Sequence, residues 1–120
     1  MHLVQAYWKS TLWSIFIIYV SLIKEYNLQL LPDFSWRDKL LHACAYCILG
    51  LLLGIELKAD QLCGKRYWLW LIITPICLGG LIEILQEYCF PPRVGDWWDF
   101  AANSFGVILA TLICKIFVTK

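Results

Sequence analysis

Charged side chains are what this chain has least of. Lys, Arg, Asp and Glu make up 16% of its 120 residues, against about 25% in a typical soluble domain. A globule this small has a large surface relative to its core and needs more polar residues, not fewer. The composition therefore argues against a soluble monomer. Net charge is equally scarce, at +1, so no nucleic-acid footprint is present. With 61% apolar residues, the chain also lacks the low hydrophobicity and high net charge of a disordered segment. Histidine is limited to His2 and His42. With His2 so near the terminus, a two-histidine haem site is excluded. Internal repeats, low-complexity tracts and linkers are missing too, and the length fits one domain over residues 1–120.

What the chain has is long apolar runs, and its mean hydropathy is +0.67. A membrane-spanning helix needs about 20 mostly apolar residues. Four stretches qualify, at about 7–23, 39–57, 67–89 and 98–118. The expected fold is all-α: an integral membrane four-helix bundle with short loops and antiparallel neighbours. The first run resembles a secretory signal in length, but Val20-Ser21-Leu22-Ile23-Lys24 offers no small-x-small cleavage site, so it reads as a retained helix. Aromatic residues mark the boundaries: Tyr7, Trp8, Tyr67 and Trp68 at one set of ends, Tyr26, Trp36, Trp97 and Trp98 at the other, where amphipathic rings sit at a bilayer interface.

The six cysteines are scattered along the chain. Cys44-x-x-Cys47 looks like half of a metal or redox motif, but no second pair and no following histidine complete it. These residues read as small apolar packing groups.

The loop at 24–38 and the loop near 90–97 share one end of the expected bundle, the far end. Both termini and the loop near 58–66 share the other, the terminal end. Seven of nine acids fall at the far end, and six of ten bases at the terminal end. The orientation rule counts Lys and Arg. It places the terminal end, and with it both termini, in the cytoplasm.

Helical spacing gathers polar residues at the far end. Asp38, His42 and Tyr46 follow at i, i+4 and i+8, and Lys39 lies beside them. Glu83, Gln86 and Glu87 form a patch on the third helix. Asp96, Asp99, Asn103 and Gly106 run along one face into the fourth. Between them, Pro91 and Pro92 end the third helix, Gly95 permits a tight turn, and Asp96 suits a helix N-cap. Arg93 sits on that short loop, where its planar fork suits a carboxylate or phosphate. A charge near the middle of a spanning helix costs about 2.5 to 3.5 kcal/mol on insertion scales and turns toward the bundle interior or a wet cavity. The expectation is one shared polar hollow, opening away from the cytoplasm. Pro75 and Gly79-Gly80, inside the third run, read as a place of close helix approach.

These residues resemble the VanZ-like family of membrane proteins. The second helix carries Asp38-Lys39-x-x-His42-x-x-x-Tyr46-x-x-Leu49-Gly50, similar to the family's D-K-x-x-H-x-x-x-Y-x-x-L-G. The third and its loop carry Glu83-x-x-Gln86 and then Pro91-x-Arg93. The fourth opens with Asp96-x-x-Asp99-x-x-x-Asn103-x-x-Gly106, similar to the family's D-x-x-x-N-x-x-G. The resemblance spans about 70 residues, Trp36 to Gly106. One departure is Ala110, where the family often has a second glycine. The first helix carries no family motif.

The resemblance implies a bacterial cytoplasmic-membrane, multi-pass protein and an association with glycopeptide (teicoplanin) resistance. It does not supply a reaction. Two functions follow. One is a cell-envelope accessory or binding protein, whose pocket of Asp38, Lys39, His42, Tyr46, Glu83, Gln86, Arg93, Asp96, Asp99 and Asn103 holds a membrane lipid or lipid-linked wall precursor. The other is a membrane-embedded enzyme, with His42, Glu83 and Asp99 as acid–base groups. Against the enzyme, neither Ser35 nor Ser104 sits in a recognised nucleophile motif. A magnesium or manganese site on His42, Glu83, Glu87, Asp96 and Asp99 is disfavoured by one lone histidine and competing ion pairs. No cofactor is expected. Four short helices also leave little room for alternating-access transport.

Overall fold

A computed structural model describes residues 5–28, 35–89 and 97–119, with side chains apart from those of 21–28, 35–38, 86, 87, 89, 97 and 99. The described residues form four α-helices: α1 (Trp8–Leu28), α2 (Ser35–Ala59), α3 (Gly64–Cys89) and α4 (Trp97–Ile113). A π-helical turn, Cys114–Val118, continues α4. Three helical segments are long and apolar enough to cross a membrane: 21 residues from Lys39, 22 from Gly64 and 19 from Phe100. At about 1.5 Å of rise per residue each extends about 30 Å, the thickness of a hydrocarbon core.

The helices outrun the apolar runs. α1 continues to Leu28 rather than stopping near Ile23, and α2 starts at Ser35 rather than near Lys39. Hydropathy marks where a bilayer begins, while a backbone ladder needs only compatible residues and continues past that point.

α2 and α4 form the tightest seam. A methyl group on Gly106 would lie 2.2 Å from the backbone oxygen of Ala43, and one on Gly50 would lie 2.6 Å from the Ala110 methyl. The backbones meet with almost no side chain between them, the packing that small residues at four-residue spacing permit. Ala110 stands here where the resembled pattern has a second glycine. It is fully buried, and Gly50 on the facing helix supplies the room instead.

Two apolar clusters fill the interior. Ile17, Tyr46, Leu49, Ile82 and Val107 form one; Leu53, Leu57, Tyr67, Leu71 and Cys114 form the other. Tyr67 departs from its expected role as an interfacial ring. It is buried, and its hydroxyl donates to the Gly54 carbonyl at 3.0 Å. Here α2, α3 and α4 meet, because Gly54 has no side chain to exclude the phenol. Cys114 packs into the same junction, as a small apolar group would. Outside, Leu12, Phe16, Ile55, Leu69, Ile73, Phe105 and Leu112 are all exposed.

The α2–α3 connection turns on a residue other than glycine. Leu62 N–H bonds the Leu57 carbonyl at 3.1 Å and Gln61 N–H bonds the Lys58 carbonyl at 2.9 Å. This double closure ends a helix when the residue after its cap adopts the left-handed conformation. Gln61 does so, at φ 66°.

Candidate functional site

Three polar side chains, one from each of the last three helices, are buried in the bundle. Tyr46 on α2 and Glu83 on α3 are 1% exposed, and Asn103 on α4 is 2% exposed. Gly79 brings them together. A methyl at that position would stand 3.1 Å from Asn103 Nδ2 and 3.5 Å from the Tyr46 hydroxyl. The α3 backbone thus lies directly against both side chains. Glu83 is one turn further along the same α3 face, within electrostatic reach of Tyr46. Of the pair Gly79-Gly80, Gly79 serves close approach, whereas a methyl on Gly80 would make only an ordinary contact.

One atom in this cluster has no partner. Asn103 Oδ1 is buried without a hydrogen-bond donor among the described residues. An unmade bond at a buried amide oxygen costs about 1 to 3 kcal/mol. The described residues leave this acceptor open in the polar interior.

The remaining predicted residues are distributed around this core. His42, one turn before Tyr46 on α2, is half-buried and helps line a groove of about 340 Å³ between α1 and α2. Tyr46 borders both the groove and the polar cluster. Lys39 is half-buried one turn nearer the start of α2. Asp38, Gln86 and Asp99 lie on α2, α3 and α4, but their side chains are outside the described residues; so is that of Glu87. Arg93 and Asp96 fall outside the described residues altogether. Of the expected ten, the structure joins Tyr46, Glu83 and Asn103, with His42 alongside.

The sequence reading missed a second polar assembly at the terminal end. Glu56 is 5% exposed. Its carboxylate accepts the backbone N–H of Lys9 at 2.9 Å and that of Ser10 at 3.2 Å. Those amides belong to the first turn of α1, where N–H groups have no intrahelical acceptor. Tyr7 occupies the cap position, its carbonyl accepting from Thr11 N–H at 2.9 Å. A tyrosine has no short side-chain oxygen to reach the amides, so Glu56 does it from another helix. The Tyr7 hydroxyl instead donates to Asp60 Oδ2 at 2.8 Å. Burial, then the Asp60 hydrogen bond, then the charges of Asp60 and Glu56 push this phenol up to about 12, so it is a neutral donor at physiological pH.

Two residues on, Lys58 Nζ donates to the Val118 carbonyl at the end of the α4 extension. The last turn of α2 therefore sets an acid on the N-terminus of α1 and a base on the C-terminus of α4. Both signs match the helix dipoles. The available clue was a pairing: a helix start with no Ser, Thr, Asp or Asn at its cap, and an acid stranded in an apolar run expected to end beside it.

Fold and site thus describe a small all-helical protein with three helices able to cross a membrane and a polar cluster inside them. No family model, no curated protein and no solved structure matches the chain.

Proposed function

We propose that this is a multi-pass protein of the bacterial cytoplasmic membrane, with both termini in the cytoplasm, that serves the cell envelope by binding a lipid-borne ligand. The exposed leucines, isoleucines and phenylalanines along α2, α3 and α4 support membrane embedding. The Lys and Arg excess at the terminal end supports the orientation. The VanZ-like spacing of Asp38, His42, Glu83, Arg93, Asp99 and Asn103 supports the link to the envelope and to glycopeptide resistance.

One observation carries the binding reading: in the cluster of Tyr46, Glu83 and Asn103, the buried Asn103 oxygen has no donor among the described residues. A structural polar cluster closes its own hydrogen bonds, because leaving one open gives up stability. An open acceptor in a cluster that also holds a carboxyl group and a phenol suits a ligand that brings donors, a hydroxyl or an amine. The lipid-linked precursors of the wall carry both.

The test is native mass spectrometry of protein extracted with its endogenous lipids. Wild type retains a specific lipid; Glu83→Gln and Asn103→Leu lose it. An identical lipid complement in all three overturns the reading. Reporter fusions after Gly64 and after Pro92 check the orientation. A cytoplasmic signal after Pro92 reverses it.

A further inference from the structure

A second opening, larger than the groove beside His42, lies away from that cluster. A cleft of about 640 Å³ runs between α1 and α3, with α2 as its floor. It belongs to the terminal half of the bundle. Leu49, Leu53 and Leu57 pave the floor, and Trp70, Thr74 and Leu78 form the α3 wall. Both series span eight residues, about 12 Å at helical rise. The floor is apolar, and Tyr7, Ser10, Thr11 and Asp60 line the mouth at the end nearer the α2–α3 connection.

Charges of both signs flank the mouth. Asp60 holds the Tyr7 hydroxyl, and the fields of both Asp60 and Glu56 reach that phenol. Of the bases on α1 and α2 at this end, Lys9 lies over the Trp8 ring and Lys58 is held by the Val118 carbonyl, so the charge that lines the cleft on this side is that of Asp60. On the other side, Arg66 precedes Trp70 and Thr74 by four and eight residues, so all three share one α3 face. Arg66 is exposed, with Lys65 beside it, and the α3 side of the rim is positive.

We infer that this cleft is a binding site for a phospholipid with a primary-amine headgroup, one acyl chain lying between α1 and α3. The chain occupies the leucine-paved floor. The ammonium meets the acidic side at Asp60, and the phosphate meets Arg66, whose planar donors suit it. A glycerol headgroup keeps the phosphate but brings only neutral hydroxyls to Asp60, with no cation to offset its charge. A quaternary amine brings no N–H to donate. The inference rests on the membrane reading but not on the Asn103 cluster, which involves different residues at a different level of the bundle.

Native mass spectrometry of the full chain in detergent tests it, with added dioleoyl phosphatidylethanolamine, phosphatidylglycerol or phosphatidylcholine. The ethanolamine lipid is expected to bind about tenfold more tightly than the other two, the effect of one charge-assisted hydrogen bond. Asp60→Asn reduces that preference. Thr74→Phe fills the cleft from α3, Ser14→Leu fills it from α1, and each removes the adduct while helicity and elution volume stay native. Glu83→Gln leaves it intact. Equal or tighter binding of phosphatidylglycerol by wild type overturns the inference without any variant. So does an adduct that survives both cleft-filling changes, or one lost only with Glu83→Gln, which assigns the lipid to the other cluster.

Discussion

The carboxylate of Glu56 reaches the backbone amide of Ser10, 46 residues earlier in the chain, and with Lys9 N–H completes the start of α1. A capping function usually supplied by the residue before a helix comes here from the last turn of the next helix, α2. It ties α1 to α2 at the terminal end, while Trp13 Nε1 donates to the Ala45 carbonyl at 2.9 Å further along.

Glu56→Ala removes both acceptors and leaves two buried amides open. The expected loss is about 1 to 3 kcal/mol, the range for caps and charge-assisted bonds. Glu56→Gln keeps one acceptor oxygen and loses less. Thermal unfolding in detergent ranks the two. Equal stability of wild type and Glu56→Ala refutes the cap.

Gly106 and Gly80 give opposite outcomes on substitution. Gly106→Ala drives a methyl into the Ala43 backbone, which cannot yield without separating α2 from α4, so a loss of about 1 to 3 kcal/mol or more is expected. A methyl on Gly80 meets only Phe100 Cε1, at 3.5 Å, an ordinary contact. Helix propensity then favours Gly80→Ala by up to about 1 kcal/mol. Chemical unfolding of the two variants side by side checks the contrast.

Gln61 occupies a left-handed position with no glycine to ease it. Gln61→Gly is expected to stabilise by about 1 kcal/mol, the usual steric cost of a side chain in that conformation. A lower melting temperature for this variant contradicts the reading of the turn.

Asn103→Leu removes the partnerless oxygen and keeps a side chain of similar size. Its stability is expected to match or exceed wild type within about 1 kcal/mol, while lipid retention is lost, the trade-off common at binding sites. Strong destabilisation with retention unchanged makes Asn103 purely structural.

Cys63 and Cys77 are both exposed in the isolated chain. Cys63 lies in the α2–α3 connection, and Cys77 lies mid-helix in α3. With each kept as the single cysteine, both react with a soluble maleimide in denaturant. In intact membranes only Cys63 reacts, and from one side. Labelling of both in membranes contradicts embedding.

The far-end polar residues were legible because helical spacing is local. Tyr46, Glu83 and Asn103 sit on periodic faces of apolar helices, and the energetic penalty on polar atoms there points them inward. Their meeting through Gly79 was not legible, since it depends on how closely α3 approaches α2 and α4. Tyr67 shows the same limit. Its position at a helix end suggested an interfacial ring, and only Gly54 on another helix made room to bury it.

Composition and run length alone determined that this chain is helical, poor in charge and able to cross a membrane, because hydrophobic transfer and backbone hydrogen bonding act residue by residue. Tertiary structure decided what the isolated polar residues do. Glu56 became a cap, Lys58 a tie to the α4 extension and Asn103 an open acceptor because partners of a buried polar group are chosen by distance in space, which sequence separation does not encode.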